Sequence, residues 1–186
     1  ATGRKFLRGP RATGFLYISR ALMDRVEPPF LDLHAATWVA PDRYEMRPDA
    51  RRFENWETNF AGKIGLGVAV DYALGQGLHA IAARVQGLAS DLRDMLDALP
   101  GVTVRDKGLE RCGIVTFTCE TMPAPELKSA LARRGINVSL SEASGTLLDM
   151  RERGLTAMIR ASVHYYNSEE ELERFAAALA ELIRAR

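Results

Sequence analysis

Apolar residues along this chain change their spacing in a way that marks its elements. From residue 77 onward Ile81, Val85, Leu88, Leu92 and Leu96 recur at intervals of three and four, with charged side chains elsewhere. That is the period of an amphipathic helix. Pro100-Gly101 ends it, and Val102-Thr103-Val104 and the run Cys112 to Cys119 read as two strands around the turn Asp106-Lys107-Gly108, which predicts a hairpin. Residues 125 to 134 are helical, with Pro125 in the first turn and Gly135 as the cap, and Ile136 to Leu140 alternates as another strand. Ala157 to Tyr166 is the last predicted strand. After it Ser168-Glu169-Glu170-Glu171 forms a capping box for a terminal helix with Leu172, Phe175, Leu179, Leu182 and Ile183 on one face.

The first 76 residues are less regular. Residues 1 to 13 hold two glycines, a proline and four basic side chains around Phe6 and Leu7, the composition of a loop. Phe15 to Ile18 reads as a short buried strand, and a helix over 20 to 26 is stopped by Pro28-Pro29. From Phe30 to Glu54 no period lasts and prolines recur, which predicts a long irregular connection lining a site. Residues 59 to 75 are apolar on nearly every side, the pattern of a helix buried all round. Interleaved strands and helices give an α/β or α+β class with helices on a small sheet.

Composition narrows the function classes. The chain has 186 residues, 47% hydrophobic and 26% charged, as in globular chains of one or two domains. Twenty-five basic against 24 acidic residues leave a charge of +1, so no global field draws nucleic acid or an anionic membrane. Apolar runs fall short of the roughly 20 residues that span a bilayer. Cys112 and Cys119 make neither a disulfide framework nor a metal site, and a cytoplasmic location is expected. The first residue is Ala1 and the opening segment builds no core, which suggests part of a longer protein.

Two residues stand out chemically. Lys5 lies among Arg4, Arg8 and Arg11, and a lysine in cationic surroundings can serve as a nucleophile. Composition alone favours a solvated basic loop. Alternation along the last strand puts Arg160, Ser162, His164 and Tyr166 on one face and Ile159, Ala161, Val163 and Tyr165 on the other. An arginine fixed on a strand can grip a carboxylate with two parallel hydrogen bonds, although a structural ion pair is an equal alternative. The glycines Gly62, Gly65 and Gly67 have the wrong order for a dinucleotide fingerprint and read as packing positions. The Asn137-Val138-Ser139 triplet falls in a predicted strand and carries no modification signal.

The segment Thr2-Gly3-Arg4-Lys5-Phe6-Leu7-Arg8-Gly9-Pro10 through Ile18 resembles the Schiff-base lysine segment of class V aminotransferase-fold enzymes, a family that includes cysteine desulfurases and isopenicillin N epimerase-like proteins. Arg52-Phe53-Glu54 and the stretch Arg160-Ala161-Ser162-Val163-His164-Tyr165-Tyr166-Asn167 are similar to two further motifs of that family. The resemblance implies pyridoxal 5'-phosphate as cofactor and fold type I. It implies that residues 1–76 are the end of the large cofactor-binding domain and residues 77–186 the small C-terminal α/β domain. It implies Lys5 as the cofactor lysine, Thr2, Arg4 and Thr58 as phosphate contacts, and Arg160 as the substrate-carboxylate arginine. Arg4 stands where the family has histidine, Ala12 where glycine is commoner, and Thr58 is displaced by one position. An amino-acid substrate and a homodimer follow from the same resemblance, with transamination, epimerisation or carbon-sulfur lyase chemistry as outcomes.

Desulfurases of the family carry a nucleophilic cysteine in the interval corresponding to residues 141 to 150, where this chain has none. Persulfide-forming chemistry is therefore disfavoured. The family's ring-stacking and ring-nitrogen contacts lie upstream of the lysine, so these residues alone are expected to be inactive. The rival reading is a non-catalytic anion- or nucleic-acid-binding domain that uses the basic loop 4–11.

Overall fold

The computed structural model describes residues 1–185, and the chain divides into two compact units at the Gln76–Gly77 junction. None of the helices among the described residues is long and apolar enough to cross a membrane.

The first unit begins with a loop that returns on itself, joined by the isolated bridge Thr2–Gly14. Phe15, Leu16 and Tyr17 then run extended but exposed, not as a buried strand. A single helical turn follows, α1 (Arg20–Met23), capped by Ser19, whose hydroxyl accepts from Leu22 N at 3.3 Å. The predicted helix over 20 to 26 is thus cut short ahead of the prolines. Residues 30 to 54 are more ordered than their lack of period implies. They hold an antiparallel hairpin, β1 (Ala36–Ala40) and β2 (Arg43–Met46), and a 3-10 turn at Ala50–Phe53. Strand-forming Thr37, Trp38 and Tyr44 flank the Pro41-Asp42 turn. Both strands show mostly exposed side chains, so no inward-outward alternation announced them.

Helix α2 (Phe60–Gln76) forms as predicted, but only Gly62 and Ala73 are buried on it, and Ile64 is 71% exposed. Apolar character on all sides states what a helix could bury. Burial itself needs a covering layer, and in this unit the opening loop supplies one, over the Gly62, Gly65 and Leu66 side.

In the second unit α3 (Leu78–Asp97) starts after Gly77, whose φ of +87° breaks the helical path. There follow β3 (Val102–Val104), β4 (Ile114–Cys119), α4 (Ala124–Arg133), β5 (Ser139–Glu142), α5 (Leu147–Glu152), β6 (Ala157–Ser162) and α6 (Glu169–Arg184). The strands pair antiparallel in the order β3-β4-β6-β5. Leu88 and Leu92 of α3, Leu127 of α4 and Leu179 of α6 pack with Phe117 and Ile159 in one core cluster. Gly135 (φ +72°) closes α4, with Ile136 N reaching back to the Leu131 carbonyl at 3.0 Å.

Three details differ from the sequence reading. The strand expected at 136–140 begins at Ser139, the short helix α5 lies where none was predicted, and β6 stops at Ser162. His164 and Tyr166 leave the alternation because residues 164–167 turn, with Asn167 N donating to the His164 carbonyl at 3.0 Å. The capping box at α6 forms as predicted: Ser168 Oγ accepts from Glu171 N at 3.2 Å and Glu171 Oε2 from Ser168 N at 3.1 Å.

Arg84 of α3 ties down the start of α6 by hydrogen bonds to Glu169 and to the Asn167 carbonyl. The Arg84 hydrogen bond, helped by the Glu169 backbone, lowers the Glu169 carboxyl from 4.5 to about 2 against the opposing effect of burial. A folded-state value below the unfolded one means stability fully present above pH 4.5 and lost as pH falls through about 2. Urea titrations of the protein and of Glu169→Gln should therefore differ by a constant amount above pH 4.5 and converge as pH approaches 2. A gap that persists unchanged at the acid end refutes the assignment.

Candidate functional site

The opening loop is built from backbone hydrogen bonds. Phe15 N donates to the Ala1 carbonyl at 3.0 Å, Gly3 N to the Thr13 carbonyl at 2.8 Å, and Gly9 N to the Gly3 carbonyl at 2.8 Å. Between Gly3 and Gly9 the chain makes a tight excursion, pinned where Arg8 N donates to the Lys5 carbonyl at 2.9 Å. Lys5 sits on that excursion with its side chain exposed, and Thr2 and Arg4 beside it are exposed as well. The Arg8 guanidinium lies 5.4 Å from the centre of the Tyr72 ring of α2, a cation–π contact that joins loop to helix.

Glycines let the loop approach α2 closely. A Cβ at Gly65 would come within 2.7 Å of Pro10 Cγ, and one at Gly3 within 2.6 Å of Leu66 Cδ1. Gly62 and Gly65 are thus packing positions, as expected, while a Cβ at Gly67 would meet nothing within 4 Å, so no close approach requires glycine there. Asn59 begins α2, its Oδ1 accepting from Gly62 N at 2.9 Å. Thr58, half-buried, is the residue just before that cap, so it belongs to the strip leading into the helix that supports the Lys5 loop.

Two further residues organise that strip: Asp32, which the sequence did not single out, and Arg52, which it marked only as part of the Arg52-Phe53-Glu54 motif and not for this role. Asp32 accepts from Trp56 N at 2.7 Å, from His34 N at 2.8 Å and from Ala35 N at 3.1 Å. The Trp56 bond, foremost, holds its carboxyl below the usual range. Arg52 is buried and donates to the carbonyls of Arg47 at 2.7 Å and Met23 at 3.1 Å. An Asp two residues before a backbone amide is a recognisable local signal. The partners of Arg52, 29 residues away in one case, are not legible in its neighbourhood.

Arg160 belongs to the other unit. It sits on β6, flanked in register by Thr116 of β4 and Ser139 of β5. Alternation places Met158, Arg160 and Ser162 on the face away from the cluster that includes Ile159 and Ala161. Thr116 and Thr118 on β4 and Ser139 and Ser141 on β5 share Arg160's face, and its two rung partners, Thr116 and Ser139, bear hydroxyls and no charge. Arg160 Nε is buried and has no hydrogen-bond acceptor among the described residues. A buried donor of that kind is costly unless something supplies the acceptor.

The cysteines are placed otherwise. Cys112 is exposed with its carbonyl held by Arg93, and Cys119 is half-buried against the core with Sγ 3.3 Å from Thr121 Oγ1. Residues 141–150 form the end of β5, a turn and most of α5. No cluster of metal-ligating side chains occurs among the described residues.

The first unit thus presents a lysine on a glycine-supported loop, and the second a strand arginine with an unmet donor. The aminotransferase class-V family model matches residues 1–175, and the chain belongs to that family, whose enzymes use pyridoxal phosphate. A probable cysteine desulfurase of Xylella fastidiosa is 33% identical over 179 residues, 96% of this chain and 42% of that protein. A cysteine desulfurase of Salmonella agona is 31% identical over 96% of this chain and 44% of its own length. The apo structure of a cysteine desulfurase from Thermococcus onnurineus superposes with a TM-score of 0.87 at 29% identity, covering 100% of this chain and 46% of that one. The fold is that of the type I pyridoxal-phosphate enzymes. This chain spans less than half the length of the relatives it matches.

Proposed function

We propose that this chain contributes the cofactor lysine and the carboxylate-binding arginine of a pyridoxal-phosphate enzyme acting on an amino acid, assembled as a homodimer. The observation that carries the reading is the presentation of Lys5: one exposed amine held on a hydrogen-bonded loop beside a hydroxyl and a guanidinium. An amine, Thr2 and Arg4 within four consecutive positions form a donor set that fits a phosphorylated aldehyde, and the buried Arg160 Nε fits a carboxylate.

In this reading Lys5 Nζ would hold the cofactor aldehyde, Thr2 and Arg4 would bind its phosphate, and Thr58 would add a hydroxyl to that contact. The bound cofactor supplies an electron-accepting ring for bonds broken at the substrate α carbon. Arg160 would grip the substrate carboxylate and so orient the α carbon, and the Lys5 amine would move the proton there. Carbon-sulfur lyase chemistry is the outcome closest to the relatives, and transamination and epimerisation use the same two residues. Relay of sulfur through a cysteine of residues 141–150 is outside the proposal, since that stretch has none.

Borohydride reduction in the presence of pyridoxal phosphate, followed by peptide mapping, tests it. Of the four lysines, Lys5, Lys63, Lys107 and Lys128, the label is expected on Lys5. Label confined to another lysine, or no label, overturns the reading.

A further inference from the structure

We propose that Thr13 is the positioning residue for Lys5, bracing the lysine loop through its side-chain hydroxyl. The inference rests on the reading of Lys5 as the cofactor lysine. Ala12 has φ +59°, in the left-handed region that glycine adopts freely and alanine resists. A turn through such a residue persists only when its surroundings hold it there. Thr13 Oγ1 donates to the Pro10 carbonyl at 2.6 Å and closes the turn across Arg11 and Ala12.

The same residue roots the loop that carries the lysine. Its carbonyl accepts from Gly3 N, the Gly3 carbonyl accepts from Gly9 N, and inside that closure Arg8 N meets the Lys5 carbonyl. Arg8 is itself left-handed, at φ +57°, so two non-glycine residues in this loop are held against their preference. Thr13 also packs where side chains are missing. A Cβ at Gly3 would come within 2.5 Å of Thr13 Oγ1, and one at Gly62 within 3.1 Å of Thr13 Cγ2. Hydroxyl, carbonyl and methyl thus fix the Pro10 turn, the Gly3 end of the loop and the start of α2 together. Without the hydroxyl the Ala12 turn relaxes, Gly3 loses its fixed acceptor, and the Lys5 amine leaves its set position.

The test follows the rate at which pyridoxal phosphate and borohydride label each lysine of the full-length chain, with Lys63, Lys107 and Lys128 as internal references. Thr13→Val, which keeps the shape and loses the hydroxyl, is expected to slow labelling of Lys5 about tenfold and leave the reference lysines unchanged. Thr13→Ser, which keeps the hydroxyl, should restore the Lys5 rate. Adding Ala12→Gly to Thr13→Val should recover it too, because glycine holds φ near +60° without a brace. Wild-type labelling of Lys5 in Thr13→Val, or equal impairment in the valine and serine variants, overturns the brace. Absence of Lys5 label in the unsubstituted protein overturns instead the parent reading. Should Thr13→Val fail to fold, Thr13→Ala against Thr13→Ser decides by the same criterion.

Discussion

Replacing Arg93 by alanine is expected to destabilise the unit that follows Gly77 by about 3–5 kcal/mol, the cost of leaving one member of a buried ion pair alone. Arg93 on α3 is 5% exposed. Its Nε donates to Asp106 Oδ2 at 2.8 Å, and its Nη2 to the Cys112 carbonyl at 2.8 Å. The other Asp106 oxygen accepts from Thr116 N at 3.4 Å. One guanidinium therefore joins the long helix to both ends of the 106–112 turn and, through Asp106, to the strand beside Arg160. Removing it strands a carboxylate that is mostly shielded from water, whereas Asp106→Asn keeps one oxygen to accept from Arg93, gives up acceptance from Thr116 N, and should cost less. Urea denaturation of both variants measures the difference. A loss below about 1 kcal/mol for Arg93→Ala would put the pair among solvent-screened surface bridges and refute its structural role.

The second large effect is functional. With Arg160 in the proposed carboxylate-binding role, Arg160→Gln in the complete protein is expected to lower kcat/KM for an amino-acid substrate by roughly 30-fold or more, the equivalent of losing about 2–5 kcal/mol from a desolvated charge pair. Thr116 and Ser139 on either side cannot replace a planar cation. Arg160→Lys should recover only part of the loss, since an ammonium cannot make two parallel bonds to one carboxylate. Borohydride labelling of Lys5 should remain in both variants, which separates carboxylate binding from cofactor attachment. Steady-state kinetics with unchanged kcat/KM in Arg160→Gln would remove the carboxylate role.

Much of the second unit was legible because its signals are local. The three-and-four spacing of Ile81 to Leu96 and the Ser168–Glu171 box depend on residues within one or two turns of each other, and the corresponding helices formed. Ile159 and Arg160 fell on opposite faces as alternation required. The β1–β2 hairpin escaped because both strands are largely exposed and carry no alternating pattern. The exposed flank of α2 was misread because its apolar pattern says nothing about whether a covering layer is present.

The site divides along the same line. Read linearly, residue chemistry marked Lys5 and Arg160 as candidates but left a solvated loop and a structural ion pair open, and it was the family resemblance of their segments that gave them roles. What folding alone settled was everything set by partners distant in sequence. Arg52 reaches Met23 across 29 residues, Arg93 meets Asp106 and Cys112, and Thr13 closes on Gly3. A polar side chain's role depends on which donor or acceptor the backbone brings within about 3 Å, and local spacing does not encode that distance.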